Sequence, residues 1–247
     1  MIKGQHFLAD SGILERIASY AELGPDDRIL EIGPGPGNLT KVLAEHAGTV
    51  YAVEVDPLLA AGLTGKFPNV TVTNADALTV ELPDYNKVVS NLPYQISSKI
   101  TYRLLSRPRP FELAVLMFQR EFARRMLAAP GSEEYGRLAM VVGFFCQAKM
   151  LESIPRTAFR PMPEVNSAIV RLRPRLERPA VEPGVFMRLA EGLFRSRRKK
   201  VKKALAAMGA GREALAELNK CQPALLDRRP EELTPDEAAK LARALYG

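Results

Sequence analysis

The glycine-rich segment Gly33–Gly37 constrains the fold of this chain more than any other feature of its sequence. It separates residues 28–32, an apolar run typical of a buried strand, from residues 39–47, whose apolar spacing predicts a helix. A glycine turn between a strand and a helix lies at the carboxyl edge of an open α/β sheet, where ligands bind. The segment therefore predicts an α/β fold with a ligand site above the end of its first strand.

Strands and helices alternate on both sides of this segment, and a helix over residues 13–23 precedes the first strand. Further strands are predicted at residues 49–55, 70–73, 87–90, 113–118 and 165–172. The helices between them are predicted at residues 57–66, 96–105 and 121–129. Such alternation is typical of βαβ units, so we expect a mostly parallel, doubly wound sheet covered on both faces.

The last third of the chain has a different pattern. Prolines recur over residues 174–183 and predict a linker, after which residues 186–208 and 212–218 have helical spacing. We therefore predict a first domain over residues 1–174 and a small basic helical domain over residues 175–247.

Length and composition exclude several classes of protein. A chain of 247 residues that is 47% hydrophobic can bury a sizeable core. The two cysteines, Cys146 and Cys221, lie far apart with no histidine nearby, so we expect neither a disulfide framework nor a metal site. No stretch approaches the ~18 apolar residues of a membrane span, and no long heptad pattern is present. We expect a cytoplasmic monomer without a membrane partner.

Positive charge is concentrated near the carboxyl end. The net charge is +7, and residues 175–247 hold 16 Lys and Arg against 10 Asp and Glu. Seven cations fall within nine residues: Arg195, Arg197, Arg198, Lys199, Lys200, Lys202 and Lys203. Such a run is either a solvated helix face or a binding surface for the phosphates of a nucleic acid.

Two acidic residues follow the second and third predicted strands. Glu54 ends the second strand and Asp76 follows the third. Because the carboxyl ends of parallel strands meet at one edge of a sheet, both carboxylates are expected to line the crevice at the glycine turn. Glu54 could accept both hydroxyls of a ribose and Asp76 the amine of an adenine. The pair therefore predicts a nucleoside ligand.

The spacing of the glycines distinguishes between nucleotide ligands. A dinucleotide fingerprint requires a third glycine where this chain has Asn38 or Thr40, so a nicotinamide cofactor is disfavoured. The pattern of Glu31 followed by Gly33, Gly35 and Gly37 resembles instead the first motif of class I methyltransferases that use S-adenosylmethionine. These three glycines are our candidates for contact with that cofactor.

The segment Ser90–Tyr94 follows the fourth predicted strand and so lies beside the same crevice. It resembles the Asn-Pro-Pro-Tyr motif of amino-methyltransferases, with Leu92 in place of the first proline. An aromatic amine is a poor nucleophile, because its lone pair is delocalised into the ring. The side-chain oxygen of Asn91 and the carbonyl of Leu92 could both accept hydrogen bonds from such an amine, while Tyr94 stacks on an extruded base.

Several separate blocks together resemble the ribosomal RNA adenine dimethyltransferases over nearly the whole chain. These blocks are residues 4–8, 31–37, 91–94, 119–121, 135–138, 159–163 and 197–200. The resemblance implies a class I methyltransferase fold in which His6, Leu8, Gly33, Glu54, Asp76 and Asn91 contact S-adenosylmethionine. It also implies that Asn91, Tyr94 and Phe159 form the target-adenine site. His6 departs from the asparagine that is common in the family.

The resemblance implies an enzyme that dimethylates two adjacent adenines near the 3′ end of small-subunit ribosomal RNA, with an assembling subunit as its partner. The basic run would then hold RNA phosphates. Two alternatives remain open at this point: an adenine methyltransferase of large-subunit ribosomal RNA of the antibiotic-resistance type, and a non-catalytic RNA-binding assembly or transcription factor. The sequence does not specify which adenines are modified, nor a role for Gln119, Glu121 and Arg137.

Overall fold

The computed structural model of the chain describes residues 6–107 and 111–246. Gly4 and Gln5 of the first motif lie outside the described residues. The strands are β1 (Phe7–Leu8), β2 (Arg28–Ile32), β3 (Thr49–Glu54), β4 (Val70–Asn74), β5 (Lys87–Asn91), β6 (Leu113–Gln119), β7 (Cys146–Ile154), β8 (Phe159–Arg160) and β9 (Ser167–Pro174).

Helices connect these strands and form most of the carboxyl-terminal part. They are α1 (Ser11–Tyr20), α2 (Asn38–His46), α3 (Pro57–Leu63), α4 (Ser97–Leu105), α5 (Arg120–Met126), α6 (Arg137–Phe145), α7 (Pro183–Arg195), α8 (Val201–Ala207), α9 (Arg212–Cys221), α10 (Pro223–Asp227) and α11 (Pro235–Tyr246). Short 3₁₀ turns lie at Tyr94–Ile96, Arg156–Ala158 and Pro230–Glu232. No helix within the described ranges is both long enough and apolar enough to cross a membrane.

The main sheet has the strand order β4-β3-β2-β5-β6-β9-β7. The first five strands in this order, β4 through β6, run parallel to one another. The next strand, β9, pairs antiparallel with β6. The six residues Leu113–Phe118 of β6 are all buried, as expected for a strand covered on both faces. This arrangement confirms the predicted fold class. The strand order reverses between β2 and β5, which places a ligand crevice at their carboxyl ends.

The basic run does not lie on one helix. The predicted helix over residues 186–208 is instead two helices, since α7 ends at Arg195 and α8 begins at Val201. The chain turns between them, where the amide of Lys199 donates to the carbonyl of Ser196 at 2.8 Å. Like charges three and four positions apart, such as Arg195 and Lys199, would repel one another on one helix face, which favours a break at this point.

The chain forms two compact units. Among the described residues, the first comprises 6–104, 111–123 and 148–174 and contains the main sheet, whereas the second comprises 105–107, 124–147 and 175–246. One boundary between the units falls at Pro174, where the sequence analysis also divided the chain. The second unit also contains residues 124–147, which the sequence analysis placed with the first domain.

The reason is the composition of α6. Six of its nine residues are buried, so the helix needs apolar neighbours on nearly every face. The second unit supplies them: Phe144 of α6 stacks on Phe186 of α7 with ring centroids 3.8 Å apart.

Candidate active site

A cavity of about 310 Å³ opens at the carboxyl ends of β2, β3 and β5 in the first unit. Most of the residues that the sequence analysis selected line it: His6, Leu8, Gly33, Gly35, Glu54, Asp76, Asn91, Leu92 and Tyr94. Gly37 and Phe159 are not among its lining residues. The described His, Cys, Asp and Glu side chains form no group of three that could hold a metal ion.

The glycine turn is held in a conformation that side chains resist. Gly33 and Gly35 have positive φ angles of 68° and 59°. A Cβ atom on Gly35 would lie 2.6 Å from the ring of Phe7, and one on Gly33 would lie 2.9 Å from Pro93. Glycine is therefore required at both positions by the backbone conformation and by the closeness of neighbouring side chains.

Gly37 does not line the cavity, and it instead allows α2 to pack closely against α3. It is the N-cap of α2 with a φ of 92°, and a Cβ there would meet Cδ1 of the buried Leu63 at 2.5 Å. A direct cofactor contact by Gly37 stays a prediction from the sequence.

A Gly37→Ala substitution should lower the free energy of unfolding by about 2–4 kcal/mol, because it adds overpacking to left-handed strain. Gly65→Ala is the matched control: its φ is 76°, but no atom lies within 4 Å of the added Cβ. The free energy of unfolding of the control should fall by only about 1–2 kcal/mol, the cost of the left-handed backbone conformation alone. Denaturant unfolding measures both values, and equal losses would contradict the packing function.

Glu54 is fixed by the turn that it faces. The side chain is buried, its Oε2 accepts from the amide of Gly35 at 3.1 Å, and its Oε1 accepts from the amide of Asp56 at 2.9 Å. A carboxylate has about four lone-pair positions, so two amide donors leave acceptor capacity for the cavity. Glu54 therefore keeps acceptor capacity at the cavity that it lines.

Asp76 is held by its own turn. Its Oδ1 accepts from the amide of Leu78 at 2.8 Å, and the residue lines the cavity. The other carboxylate oxygen remains available to a ligand. Asp56, by contrast, caps α3 by accepting from the amides of Leu58 and Leu59.

Glu31 is a cavity residue to which the sequence analysis gave no role. Its side chain is buried, and its Oε2 has no hydrogen-bond partner among the described residues. Burial raises the pKa of Glu31 to about 8, and the charge of Glu54 adds to the rise. A buried acceptor without a partner fits a ligand that brings hydrogen-bond donors or positive charge. Its position as the first residue of the Glu-x-Gly pattern was the signal that could have identified it.

Asn91 and Tyr94 are both anchored by residues distant in the sequence. The Asn91 amide nitrogen donates to the carbonyl of His6 at 3.3 Å, which leaves the amide oxygen for another donor. The Tyr94 hydroxyl hydrogen-bonds to the Ser167 hydroxyl at 2.7 Å, and burial raises the pKa of Tyr94. Leu92 between them is buried at the cavity wall. An acceptor oxygen and an aromatic ring thus occupy one side of the cavity.

The amino-terminal segment covers this side. The His6 ring stacks near the Tyr94 ring, with centroids 6.0 Å apart and planes 28° from parallel. Its Nδ1 lies 2.9 Å from the carbonyl of Pro161. The carbonyl of Leu8 accepts from the Asn38 side chain at 2.8 Å. His6 and Leu8 therefore line the cavity through a segment held at both ends, and their contact with the cofactor stays a prediction.

Phe159 lies in the core and does not reach the cavity. It is fully buried and pairs with Leu8 between β8 and β1. A base could contact its ring only if the covering chain moved. A second stacking face formed by Phe159 is therefore not available in this conformation, and that role stays a prediction from the sequence.

The basic run divides into paired and unpaired cations within the second unit. Three of the seven form ion pairs: Arg195 with Glu191, Arg197 with Glu231 and Lys200 with Asp227. The other four are exposed and have no ion pair among the described residues: Arg198, Lys199, Lys202 and Lys203. The unpaired four are the stronger candidates for phosphate contact, because none of them forms a close ion pair with a described residue, although Lys202 also interacts electrostatically with Asp227.

A mostly parallel sheet with a cavity at its switch point is the fold of the class I methyltransferases. The sequence model of one family, ribosomal RNA adenine dimethylase, matches residues 3–242. The chain belongs to this family of methyltransferases.

Individual relatives agree with this assignment. The chain is 44% identical to a protein of Methanothermobacter thermautotrophicus named "Probable ribosomal RNA small subunit methyltransferase A", over 97% of this chain and 88% of that protein. Among solved structures, it is similar to a dimethyladenosine transferase from Plasmodium falciparum, with a TM-score of 0.83, 28% identity and 95% coverage of both chains. It is also similar to the 23S rRNA methyltransferase ErmE, with a TM-score of 0.70 and 32% identity over 98% of this chain and all of that one.

Proposed function

We propose that this protein transfers methyl groups from S-adenosylmethionine to the exocyclic amines of two adjacent adenines near the 3′ end of small-subunit ribosomal RNA. Its partner is the RNA of an assembling small subunit, and it acts as a cytoplasmic monomer. One observation carries the proposal: the carboxylates of Glu54 and Asp76 line the same cavity as Asn91 and Tyr94. Acceptors suited to a nucleoside and acceptors suited to an amine thus converge on one space.

S-adenosylmethionine would supply a methyl group bonded to a cationic sulfur. Glu54 would accept the ribose hydroxyls and Asp76 the adenine amine of this cofactor. The unpartnered oxygen of Glu31 would face its positive charge, and a nearby cation would favour the ionised form of that carboxyl. These residues bind and orient the cofactor and take no part in bond breaking.

The target amine is activated by acceptors. The Asn91 oxygen and the Leu92 carbonyl each accept one N–H of the amine, which directs its lone pair out of conjugation and toward the methyl group. The cofactor would supply its methyl group to this nitrogen by direct transfer from sulfur, and the amine would lose a proton to solvent. Tyr94 stacks on the extruded base. Orientation of the two reactants supplies most of the acceleration.

The unpaired cations provide a test of the RNA surface. A Lys202→Gln/Lys203→Gln variant should reduce the slope of log affinity against log salt by about 1.4, because each phosphate contact contributes about 0.7 for single-stranded RNA. The matched control is Arg195→Gln/Lys200→Gln, which removes two exposed cations that are already paired. Titration of labelled protein with small-subunit particles at several salt concentrations measures the slopes. Equal changes in the two variants would contradict this assignment.

A second candidate function is methylation of large-subunit RNA, which the 32% identity to ErmE favours. Two observations weigh against it: the TM-score to the dimethyladenosine transferase is higher, and the relatives at 40–44% identity carry the small-subunit name. A non-catalytic RNA-binding factor would have no need of the acceptor groups at Asn91 and Leu92.

The deciding experiment uses labelled S-adenosylmethionine with unmodified small-subunit and large-subunit particles in separate reactions. Digestion of the RNA identifies the methylated nucleosides. We expect dimethyladenosine from the small subunit. Label on the large subunit would favour the resistance-type activity, and no label on either particle would contradict both enzymatic proposals.

A further inference from the structure

The first unit has a second depression, separate from the cavity described above. It measures about 290 Å³. Its lining residues are Arg120, Glu121, Arg156, Glu164, Val165 and Asn166. Arg120 and Glu121 belong to the motif for which the sequence gave no role.

Asn166 holds both arginines of the depression. Its backbone carbonyl accepts from the amide of Arg120 at 2.9 Å, and its side-chain oxygen accepts from the amide of Arg156 at 3.0 Å. The start of α5 and the 3₁₀ turn Arg156–Ala158 are therefore fixed to one residue. The two guanidinium groups extend from anchored backbone, so the depression is a built feature of the unit.

The next residue along the chain connects the depression to the target site. Ser167 bonds the Tyr94 hydroxyl at 2.7 Å, and it pairs in the sheet with Gln119, which directly precedes Arg120. The anchor of Tyr94 and the anchor of the arginines are thus consecutive residues. The depression therefore begins one residue beyond the β6–β9 pair that anchors Tyr94.

The depression offers donors, acceptors and an apolar surface. The Arg120 Nε is buried without a hydrogen-bond acceptor among the described residues, although the side chain is 41% exposed. Glu121 lies 3.6 Å from the Arg120 guanidinium, and Glu164 adds a second carboxylate. Val165 is 38% exposed. Two positive and two negative side chains balance, which suits a neutral polar ring better than a phosphate.

Resting on the proposed function, we propose that this depression binds the base of the nucleotide next to the target adenine. The guanidinium groups of Arg120 and Arg156 donate to its ring nitrogens or carbonyl oxygen, and the carboxylate of Glu164 accepts from its amino group. Val165 contacts the face of the ring. Extrusion of the target base removes stacking from its neighbour, and this site replaces part of that loss.

Arg120→Gln tests the site against a matched control. It should raise KM for small-subunit particles about 10-fold with little change in kcat, since it removes one contact to a base edge and leaves the reacting groups in place. The control is Arg28→Gln at the amino end of β2, where the side chain is 44% exposed and pairs with Asp84. The control should change KM less than twofold. Calorimetric titration with S-adenosylmethionine should give equal affinities for both variants and the wild type, which excludes misfolding.

Glu164→Gln distinguishes a base from a backbone phosphate. Loss of a carboxylate weakens the binding of an amino group but strengthens the binding of an anion. Weaker particle binding by Glu164→Gln supports the proposal, and stronger binding overturns it.

Because the two target adenines are neighbours of each other, particles that keep only one of them, with a substituted nucleotide on either side of it, locate the contact. Substitution of the nucleotide at one of these positions should weaken particle binding by the wild type. The same substitution should not weaken binding by Arg120→Gln any further, because the contact is already absent. Independent losses would overturn the proposal. Equilibrium binding is the readout, so a wild type that binds particles but transfers no methyl group would contradict the proposed function alone.

Discussion

An Asn91→Ala variant should transfer methyl groups about 10²–10³ times more slowly than the wild type at saturating cofactor and RNA, a loss typical of removing one preorganised polar group from a reacting centre. The amide oxygen of Asn91 is free to accept from the amine, because its nitrogen is already bonded to the carbonyl of His6. Without that acceptor the amine keeps its lone pair in the ring. Single-turnover rates of label transfer to small-subunit particles measure the effect.

Two further variants test whether the lower transfer rate of Asn91→Ala comes from the missing acceptor oxygen. Asn69→Ala removes an asparagine that also donates to backbone carbonyls, those of Ala44 and Ala47, but lies outside the cavity. It should leave the transfer rate near that of the wild type. Asn91→Asp retains an oxygen acceptor and should recover part of the rate. Full activity in Asn91→Ala would refute the role that we assign to this residue.

The cofactor-free protein should lose stability relative to a Glu31→Gln variant as the pH rises from 5 to 8. The pKa of Glu31 is raised from 4.5 to about 8 by burial, so between these values the folded chain keeps a proton that the unfolded chain has lost. Rising pH therefore favours unfolding, by up to about 1.4 kcal/mol per pH unit. Between pH 5 and pH 8, the free energy of unfolding of the wild type should fall by about 3–4 kcal/mol relative to that of Glu31→Gln. It should change little at higher pH.

Denaturant unfolding of the wild type and of Glu31→Gln at pH 5, 6.5 and 8 measures this difference. Glu45→Gln, on the exposed face of α2, is the control for replacing a carboxylate by an amide at an exposed position. A constant difference for Glu31→Gln would mean that the buried carboxyl ionises normally.

The sequence was sufficient to predict those parts of the site that depend on local order. A buried apolar strand followed by glycines and a helix predicts a crevice, and acids at the next two strand ends must face it once the sheet is parallel. Glu54, Asp76 and Asn91 therefore line one cavity as expected. The periodicity that identifies strands also determines which of their ends carries the site.

Features that depend on contacts between residues far apart in the sequence could not be predicted from local sequence patterns. The Ser167 contact with Tyr94 spans 73 positions, and the pairing of Arg197 with Glu231 spans 34. The burial of Phe159 follows from its pairing with a two-residue strand near the amino terminus. Local propensity contains no information about such partners. The division of the basic run into paired and unpaired cations has the same origin.

A crystal structure of the protein with S-adenosylhomocysteine would test the central claim most directly. The account predicts that the ribose hydroxyls lie about 2.5–3.0 Å from the carboxylate of Glu54. It also predicts that the adenine amine lies beside Asp76 and the sulfur points toward Asn91. A ligand bound outside this cavity, or one whose ribose makes no contact with Glu54, would contradict it.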